Sequence, residues 1–367
     1  MTSDRRRIGI LTAGGDCPGL NAVIRSVAKT AMGEHCMDIV GIEDGFEGLV
    51  EDRHRHLGWA DVSGVLSAGG TILGSSNRAE PFRYPTKTER GTEYRDRSGD
   101  ALRTAERLGL ECVVCIGGNG TMTGAMRFSE LGLNVIGVPK TIDNDVEGTD
   151  ITPGFDTAVA TATDAIDRIH TTAQSHHRVM VIEVMGRDAG WLALCSGLAG
   201  GADVILLPEL PYDPGVIAET VTRRNSRGSR FSIVVVGEGA RPKGGDVTVQ
   251  KEVPGQPGKV RLGGVGQNIA DAIEGTTGIE ARVTVLGHLV RGGSPTARDR
   301  VLGTLLGVRA AHLAAERHYG VMVASKKDDV TTVELARVGG RTRKVPLDSP
   351  LLAAARAVGT SLGTQET

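Results

Sequence analysis

Two carboxylates, Asp143 and Asp145, stand two residues apart in the segment Pro139-Lys140-Thr141-Ile142-Asp143-Asn144-Asp145. Like charges this close in an irregular loop are costly unless a metal ion or a cationic ligand uses them. One carboxylate can then serve as a general base while the other holds a hard cation such as Mg2+. A bare D-x-D also describes a solvated acidic turn. Its place directly after an apolar segment, with Lys140 and Thr141 attached, favours chemistry. Two glycine-rich segments suit the anion such a site would need: Gly14-Gly15 in AGGDCPGLNA, and Gly117-Gly118-Asn119-Gly120-Thr121. Glycines let the backbone approach an anion, and a helix that follows offers free N–H groups and the positive end of its dipole. Neither segment is the dinucleotide fingerprint or a Walker A loop. One such turn is weak evidence, whereas two together point towards a polyphosphate cradle.

Cations complete the set. Arg78 lies in GSSNRAEPF, Arg178 follows SHH, Arg187 closes Met185-Gly186-Arg187, and Arg282, His288 and Arg291 lie in ARVTVLGHLVRGGSP. Single arginines are mostly solvated surface groups. Several near strand ends, in a chain whose formal net charge is −2, suggest a pocket for anions, because the guanidinium fork binds two phosphate oxygens at once.

The elements that must position these residues alternate in kind. Short apolar runs ending in glycine or proline read as buried strands: 8–13, 113–118, 134–139, 179–185, 204–208, 231–237 and 283–287. Between them Phe155, Ala158, Val159, Ala162, Ile166 and Ile169 recur at helical spacing, and 21–32, 121–131, 216–226, 265–273 and 297–317 also read as helices. The alternation predicts α/β layers with mostly parallel sheets, whose ligands sit in the loops after the strands' carboxyl ends. Two stretches read as surface insertions. Residues 80–100 are highly charged with almost no apolar periodicity, and 241–264 are Gly/Pro-rich with room for a short hairpin. The tail after Leu362 reads as frayed.

Composition narrows the class. With 40% hydrophobic and 23% charged residues the chain has material for a packed core, and its charge balance argues against nucleic-acid and membrane-surface roles. The 52 glycines beside 3% aromatic residues fit many tight turns rather than stacking platforms for bases. No apolar run approaches a membrane span. The apolar start meets Gly14, Gly15 and Asp16 too soon for a signal peptide, so a cytoplasmic protein is expected. Cys112 and Cys115 have C-x-x-C spacing, but ECVVCIGG reads as a buried strand, and no second pair completes a zinc site.

Taken in order, GGDCPGLNA, GGNGT, PKTIDND, VMGR, GEG and TVLGHLVRGGSP resemble the type A family of phosphofructokinases from about Ile8 to beyond Arg300. The Lys140 form of the loop resembles the pyrophosphate-using and mixed-substrate branch. The resemblance implies two Rossmann-like α/β domains with the active site in the cleft between them: a donor domain of 1–154 with about 290–340, and a sugar-phosphate domain of about 155–289 with 341–367. It implies transfer of a phosphoryl group to the 1-hydroxyl of fructose 6-phosphate. Position by position, Asp143 resembles the catalytic base, Thr141 a contact to the transferring group, and Asp145 a magnesium-associated carboxylate. Gly15, Arg78, Lys140 and the Gly118-Asn119-Gly120-Thr121 turn match the donor site. Met185, Gly186, Arg187, Glu238, His288 and Arg291 match the sugar-phosphate site. Arg178 and Arg282 match arginines supplied by a neighbouring subunit, which implies a homodimer or homotetramer.

The chain departs from the pattern at Asn119, where the family usually carries an acid. A neutral amide oxygen can touch Mg2+ but adds no negative charge, so metal affinity is expected to fall. A kinase for another acceptor, such as sedoheptulose 7-phosphate, and a sugar-phosphate-binding paralogue without activity are the alternatives; intact Thr141, Asp143, Asp145 and the sugar-site arginines favour a working enzyme. Gly120 leaves room for a nucleotide where strict pyrophosphate users tend to carry Asp. ATP is therefore the expected donor and pyrophosphate the runner-up. NAD and lipid kinases share a GGDGT-like turn, but not PKTIDND, VMGR or LGH-x-x-RGGSP. Arg25 and Lys29 match basic positions of the family's effector site, but His170 replaces another arginine there, so a weak or absent response to phosphoenolpyruvate or ADP is expected.

Overall fold

The computed structural model describes residues 5–76, 80–88, 91–252, 260–327 and 329–365. The chain begins with β1 (Arg7–Ala13), α1 (Leu20–Glu34), β2 (Asp38–Ile42), α2 (Phe46–Glu51), β3 (His54–Leu57), β4 (Tyr84–Thr88), β5 (Gly91–Arg95), α3 (Ser98–Arg107), β6 (Leu110–Gly117), α4 (Asn119–Glu130) and β7 (Val135–Pro139). It continues with α5 (Phe155–His176), β8 (Val179–Val184), α6 (Trp191–Ala199), β9 (Val204–Leu206), α7 (Pro214–Ser226), β10 (Ser232–Gly237), β11 (Val249–Glu252), β12 (Val260–Leu262), α8 (Val265–Thr277) and β13 (Ala281–Val285). The last elements are α9 (Ala297–Ala315), β14 (Val321–Lys326), β15 (Asp329–Glu334), α10 (Leu335–Val338) and α11 (Pro350–Ala357).

These form two units. The first, Met1–Thr157 with Arg291–Arg343, is built on a seven-stranded sheet of order β15-β14-β7-β6-β1-β2-β3. Its central strands pair in parallel, and antiparallel β3 and β15 close the edges. The continuous apolar runs of β1, β6 and β7 are buried on both faces, as a parallel sheet covered by helices requires. Register decides where the chemistry goes. Ala13 pairs with Gly117 and Gly117 with Pro139, so three strands end level and their loops emerge side by side. The second unit, Ala158–Val290 with Lys344–Thr367, carries a four-stranded, wholly parallel sheet of order β13-β8-β10-β9.

The predicted strands and helices are present with ends shifted by a few residues, and a short β11–β12 hairpin lies within 241–264. Cys112 and Cys115 are buried on β6, free of disulfides, and burial pushes the Cys112 thiol up to about 12. Two expectations are corrected. The stretch 80–100 contains an antiparallel hairpin, β4–β5, and the start of α3. Its order escapes apolar periodicity because arginines cover its aromatic rings: Arg83 lies 4.7 Å over Tyr94 and Arg97 5.1 Å over Tyr84. The tail beyond Leu362 is held at its first residue, where the Gly363 carbonyl accepts the Asp213 N–H at 2.8 Å.

A polar tie joins β6 to the chain beyond α9. The Glu111 carboxylate accepts from the Arg6 guanidinium, from the Tyr319 hydroxyl at 2.8 Å and from Arg317 Nε at 2.9 Å. The hydrogen bond from Arg6, with Tyr319 and Arg317 behind it, holds the Glu111 carboxyl down at about 2. A depressed carboxyl adds stability above its unfolded value and loses it as the pH falls towards the folded one. Glu111→Gln is therefore expected to cost about 2 kcal/mol at neutral pH, after allowance for partial exposure, and to flatten the acid limb of the unfolding curve between about pH 4.5 and pH 2. Denaturant midpoints measured along that range check it; parallel curves for parent and variant refute it.

Candidate active site

Three loops meet at the carboxyl ends of β1, β6 and β7, and hydrogen bonds tie them together. Lys140, first residue after β7, is only 2% exposed and aims its ammonium under the β1 turn. Its Nζ donates to the Ala13 carbonyl at 3.3 Å and to the Gly15 carbonyl. Burial pushes this ammonium below the ordinary lysine range. The β6 turn supports the same strand end, because Thr121 Oγ1 donates to the Ala13 carbonyl at 3.2 Å. Only glycine fits at 117, where an added Cβ would stand 2.1 Å from Thr121 Oγ1. Asn119 bridges from this turn to the β7 loop: its Nδ2 donates to Asp145 Oδ2 at 2.7 Å and to the Asp145 carbonyl at 3.2 Å.

The β7 loop is held rigidly in its own frame. The Asp143 N–H donates to Thr141 Oγ1 at 3.1 Å, and Thr152 Oγ1 donates to the Thr141 carbonyl at 2.8 Å. Between the two acids, Asn144 takes a left-handed conformation with φ 51°. It is 4% exposed and donates to the Asp150 carbonyl at 3.2 Å. Arg343 clamps the loop from the far end of the unit: Nη1 donates to the Asn144 carbonyl at 3.0 Å and its N–H to the Asp145 carbonyl at 2.7 Å. Beside the β1 turn lies a polar cavity of about 610 Å³, within the range of ligand pockets. Gly14, Gly15, Asp16, Asp44, Glu47, Thr71, Ser75 and Ser76 line it. Ser75 Oγ donates to the Gly14 carbonyl at 2.5 Å, and the Gly14 N–H to the Ser76 carbonyl at 3.2 Å.

Among the expected donor residues, Gly15, Gly118, Asn119, Gly120, Thr121 and Lys140 fall in these turns; Arg78 lies outside the described residues. Arg291, expected with the sugar-phosphate set, belongs to this first unit. It packs over Gly15, where a Cβ would stand 2.5 Å from its Nη1, and donates to the Asp16 carbonyl at 3.1 Å.

In the second unit, β8, β10 and β13 run in parallel, so the loops after them leave the sheet at one end. Met185, Gly186 and Arg187 follow β8. Arg187 is left-handed at φ 45°, and its N–H donates to Glu238 Oε1 at 3.3 Å. His288, after β13, is exposed at the same end. Arg178 and Arg282 are not with them. Arg178 immediately precedes β8, Arg282 pairs with Met180 near that strand's start, and both bind the Glu280 carboxylate, Arg178 at 2.6 Å. They occupy the amino end of the sheet. Of the effector-site positions, Lys29 Nζ lies 5.3 Å over the Trp59 ring, and His170 Nε2 sits 2.8 Å from the Gly200 carbonyl.

Sequence reasoning missed Asn144, Thr152 and Arg343, which lock the β7 loop, and Thr71, Ser75 and Ser76, which line the cavity. The glycine-led polar residues Gly70-Thr71 and Gly74-Ser75-Ser76, shortly before Arg78, were the available signal for the last three. Arg343 carried none, lying about 200 residues from its partners.

The sequence profile of the phosphofructokinase family matches residues 7–314. The chain belongs to the phosphofructokinase family. Its relatives include the ATP-dependent 6-phosphofructokinase of Chloroflexus aurantiacus, 50% identical over 368 residues and covering 100% of both chains. ATP-dependent 6-phosphofructokinase 2 of Clostridium perfringens is 48% identical over 363 residues, 98% of this chain and 99% of that one. Among solved structures, phosphofructokinase from Saccharomyces cerevisiae superposes with a TM-score of 0.77 at 31% identity, over 90% of this chain. This phosphofructokinase-family chain spans 45% of the yeast chain's length. Among the described residues no helix is long and apolar enough to cross a membrane.

Proposed function

We propose that the protein transfers the terminal phosphoryl group of ATP to the 1-hydroxyl of fructose 6-phosphate, giving fructose 1,6-bisphosphate, and that it works in the cytoplasm. The observation that carries this reading is the double tie of the β7 loop, through Lys140 to Gly15 and through Asn119 to Asp145. It sets a carboxylate, Asp143, in fixed relation to two glycine turns suited to phosphates. Phosphoryl transfer needs in-line positioning and charge neutralisation more than covalent help. Asp143 accepts the proton of the attacking hydroxyl, Thr141 and the backbone N–H groups of the two turns hold phosphate oxygens, and Lys140 adds a positive charge beneath them. Arg78, which matches the family's donor site, is assigned the transition-state charge. Met185, Gly186, Arg187, Glu238, His288 and Arg291 are assigned the sugar phosphate.

Mg2+ suits the donor atoms present. Asn119 Oδ1 is buried with no hydrogen-bond partner among the described residues, beside the Asp145 carboxylate. Two hard oxygens, completed by phosphate and water, are what Mg2+ takes. Asn119 and Asp145 would hold the ion, which supplies charge neutralisation on the donor phosphates. The location of Arg178 and Arg282, at the end of their sheet away from Arg187 and Glu238, supports a homo-oligomer in which they complete a neighbour's acceptor pocket.

Gly120 favours ATP over pyrophosphate. A Cβ built there meets nothing within 4 Å, so the turn is open on that side. Gly120→Asp is expected to raise KM for ATP at least about tenfold through bulk and like-charge repulsion, with KM for fructose 6-phosphate unchanged. The test of the whole reading is an activity matrix of ATP and pyrophosphate against fructose 6-phosphate and sedoheptulose 7-phosphate, with Mg2+. Turnover from pyrophosphate alone overturns the donor, turnover confined to sedoheptulose 7-phosphate overturns the acceptor, and none at all overturns the activity.

A further inference from the structure

Helices α1 and α9 pack along a shared seam. Ser26 Oγ donates to the Gly303 carbonyl at 3.2 Å, and a Cβ at Gly307 would stand 2.0 Å from that same Ser26 Oγ. Missing side chains on α9 therefore let the two backbones approach closely. The seam advances from the starts of both helices towards their ends, and at its far end it changes character. Glu34 is the last residue of α1, His35 caps it, and His312 lies in the last turns of α9.

One donor atom from each of these three side chains lies within 4.8 Å of the others. Among the described residues they form the one cluster of His, Cys, Asp or Glu side chains that converges in this way. His312 Nε2 stands 3.1 Å from Glu34 Oε2, and the two imidazole rings meet edge to face with centroids 5.4 Å apart. A second observation separates this from an ordinary ion pair. His35 Nε2 is buried and has no hydrogen-bond partner among the described residues. A buried ring nitrogen left in that state is destabilising unless a ligand uses it.

We infer that Glu34, His35 and His312 form a binding site for a divalent first-row transition-metal ion, with Zn2+ as the fitting case, that staples the end of α1 to α9. Imidazole and carboxylate are the donors Zn2+ takes, at about 2.0–2.2 Å, which places neighbouring donors about 3.3 Å apart. The Glu34–His312 separation is already close to this. Glu34 is exposed and long enough to complete the closure, and water fills the fourth position. Hard Mg2+ does not compete well for imidazoles. One turn to either side of His312, Arg309 and Glu316 pair with each other at 2.9 Å, which leaves Glu34 as the carboxylate for the ion. The site lies at the opposite end of α1 from the β1 turn, about 22 Å along a helix of this length. Its ion is structural and independent of the proposed reaction.

The test is calorimetric titration of the full-length, metal-free protein with Zn2+, alongside thermal unfolding with and without the ion. The parent is expected to bind one Zn2+ per chain and to gain at least about 2 °C in unfolding midpoint. His312→Gln and Glu34→Gln are each expected to weaken binding at least about tenfold and to abolish the gain, while His56→Gln, at an exposed histidine on β3, changes neither. Two variants guard against one that folds poorly. Equal affinity in the parent and both cluster variants, or no binding by the parent, overturns the assignment.

Discussion

Asp143→Asn is expected to lower kcat about 10²–10⁴-fold, the range a single general base supplies, while leaving fructose 6-phosphate binding close to that of the parent. The substitution keeps shape. The Asp143 N–H bond to Thr141 Oγ1, the Asn144 and Thr152 bonds and the Arg343 clamp all involve atoms the change does not touch. These supports of the loop are therefore retained, and what is lost is the carboxylate charge, and with it the proposed proton acceptor. Such a loss falls on kcat and kcat/KM together, because the missing interaction exists in the transition state alone. Steady-state kinetics with both substrates varied, and equilibrium binding of the sugar phosphate to the variant, distinguish this from a loss of affinity. A variant that turns over like the parent, or one whose defect lies wholly in KM, removes Asp143 from the role of base.

Much of the architecture was legible because burial on both faces leaves a plain mark. The runs of β1, β6, β7, β8 and β10 are mostly apolar, with Thr12 and Glu183 as buried exceptions, and glycine or proline ends or closely follows each, so strands, parallel pairing and loop positions followed from one pattern. Two missed strands, β2 and β14, carry the same buried apolar mark and were readable from it; the other missed elements lack it. Antiparallel β3 and β15 sit at sheet edges with mixed polarity. The run WLALCSGLA of α6 is apolar all round and offers no periodicity to separate helix from strand. At the site, residue type and order marked the glycine turns and the acid pair, because the phosphate cradle proposed for them needs those types near those strand ends. The supports around them were not legible. Arg343 reaches Asn144 from another stretch of chain, Arg291 lies over Gly15 through a close approach that leaves no local spacing, and the left-handed Asn144 is one of many asparagines until its backbone angle is known.

Lys140→Met is expected to lower kcat/KM for the phosphoryl donor about 10²-fold, with KM for fructose 6-phosphate little changed. Methionine has the straight shape to fill the same buried space, so the packing is retained and the charge is what goes. That charge has two tasks. It holds the Ala13 and Gly15 carbonyls of the β1 turn, and, in the proposed reaction, it lies beneath the donor phosphates. Hydrogen bonds from charged groups contribute about 1.5–3 kcal/mol each, and about 1.4 kcal/mol is tenfold, so losing one or two accounts for the expected factor. A pH arm separates charge from shape. Burial lowers the Lys140 ammonium from its ordinary 10.5, and the cation is present only below the lowered value. In the parent, donor kcat/KM should therefore decline as the pH rises through that value, ahead of an ordinary lysine, whereas the methionine variant, low throughout, should lack that decline. If the variant loses thermal stability but keeps the parent's donor kcat/KM and its alkaline limb, Lys140 only props the turn and has no part in holding the donor.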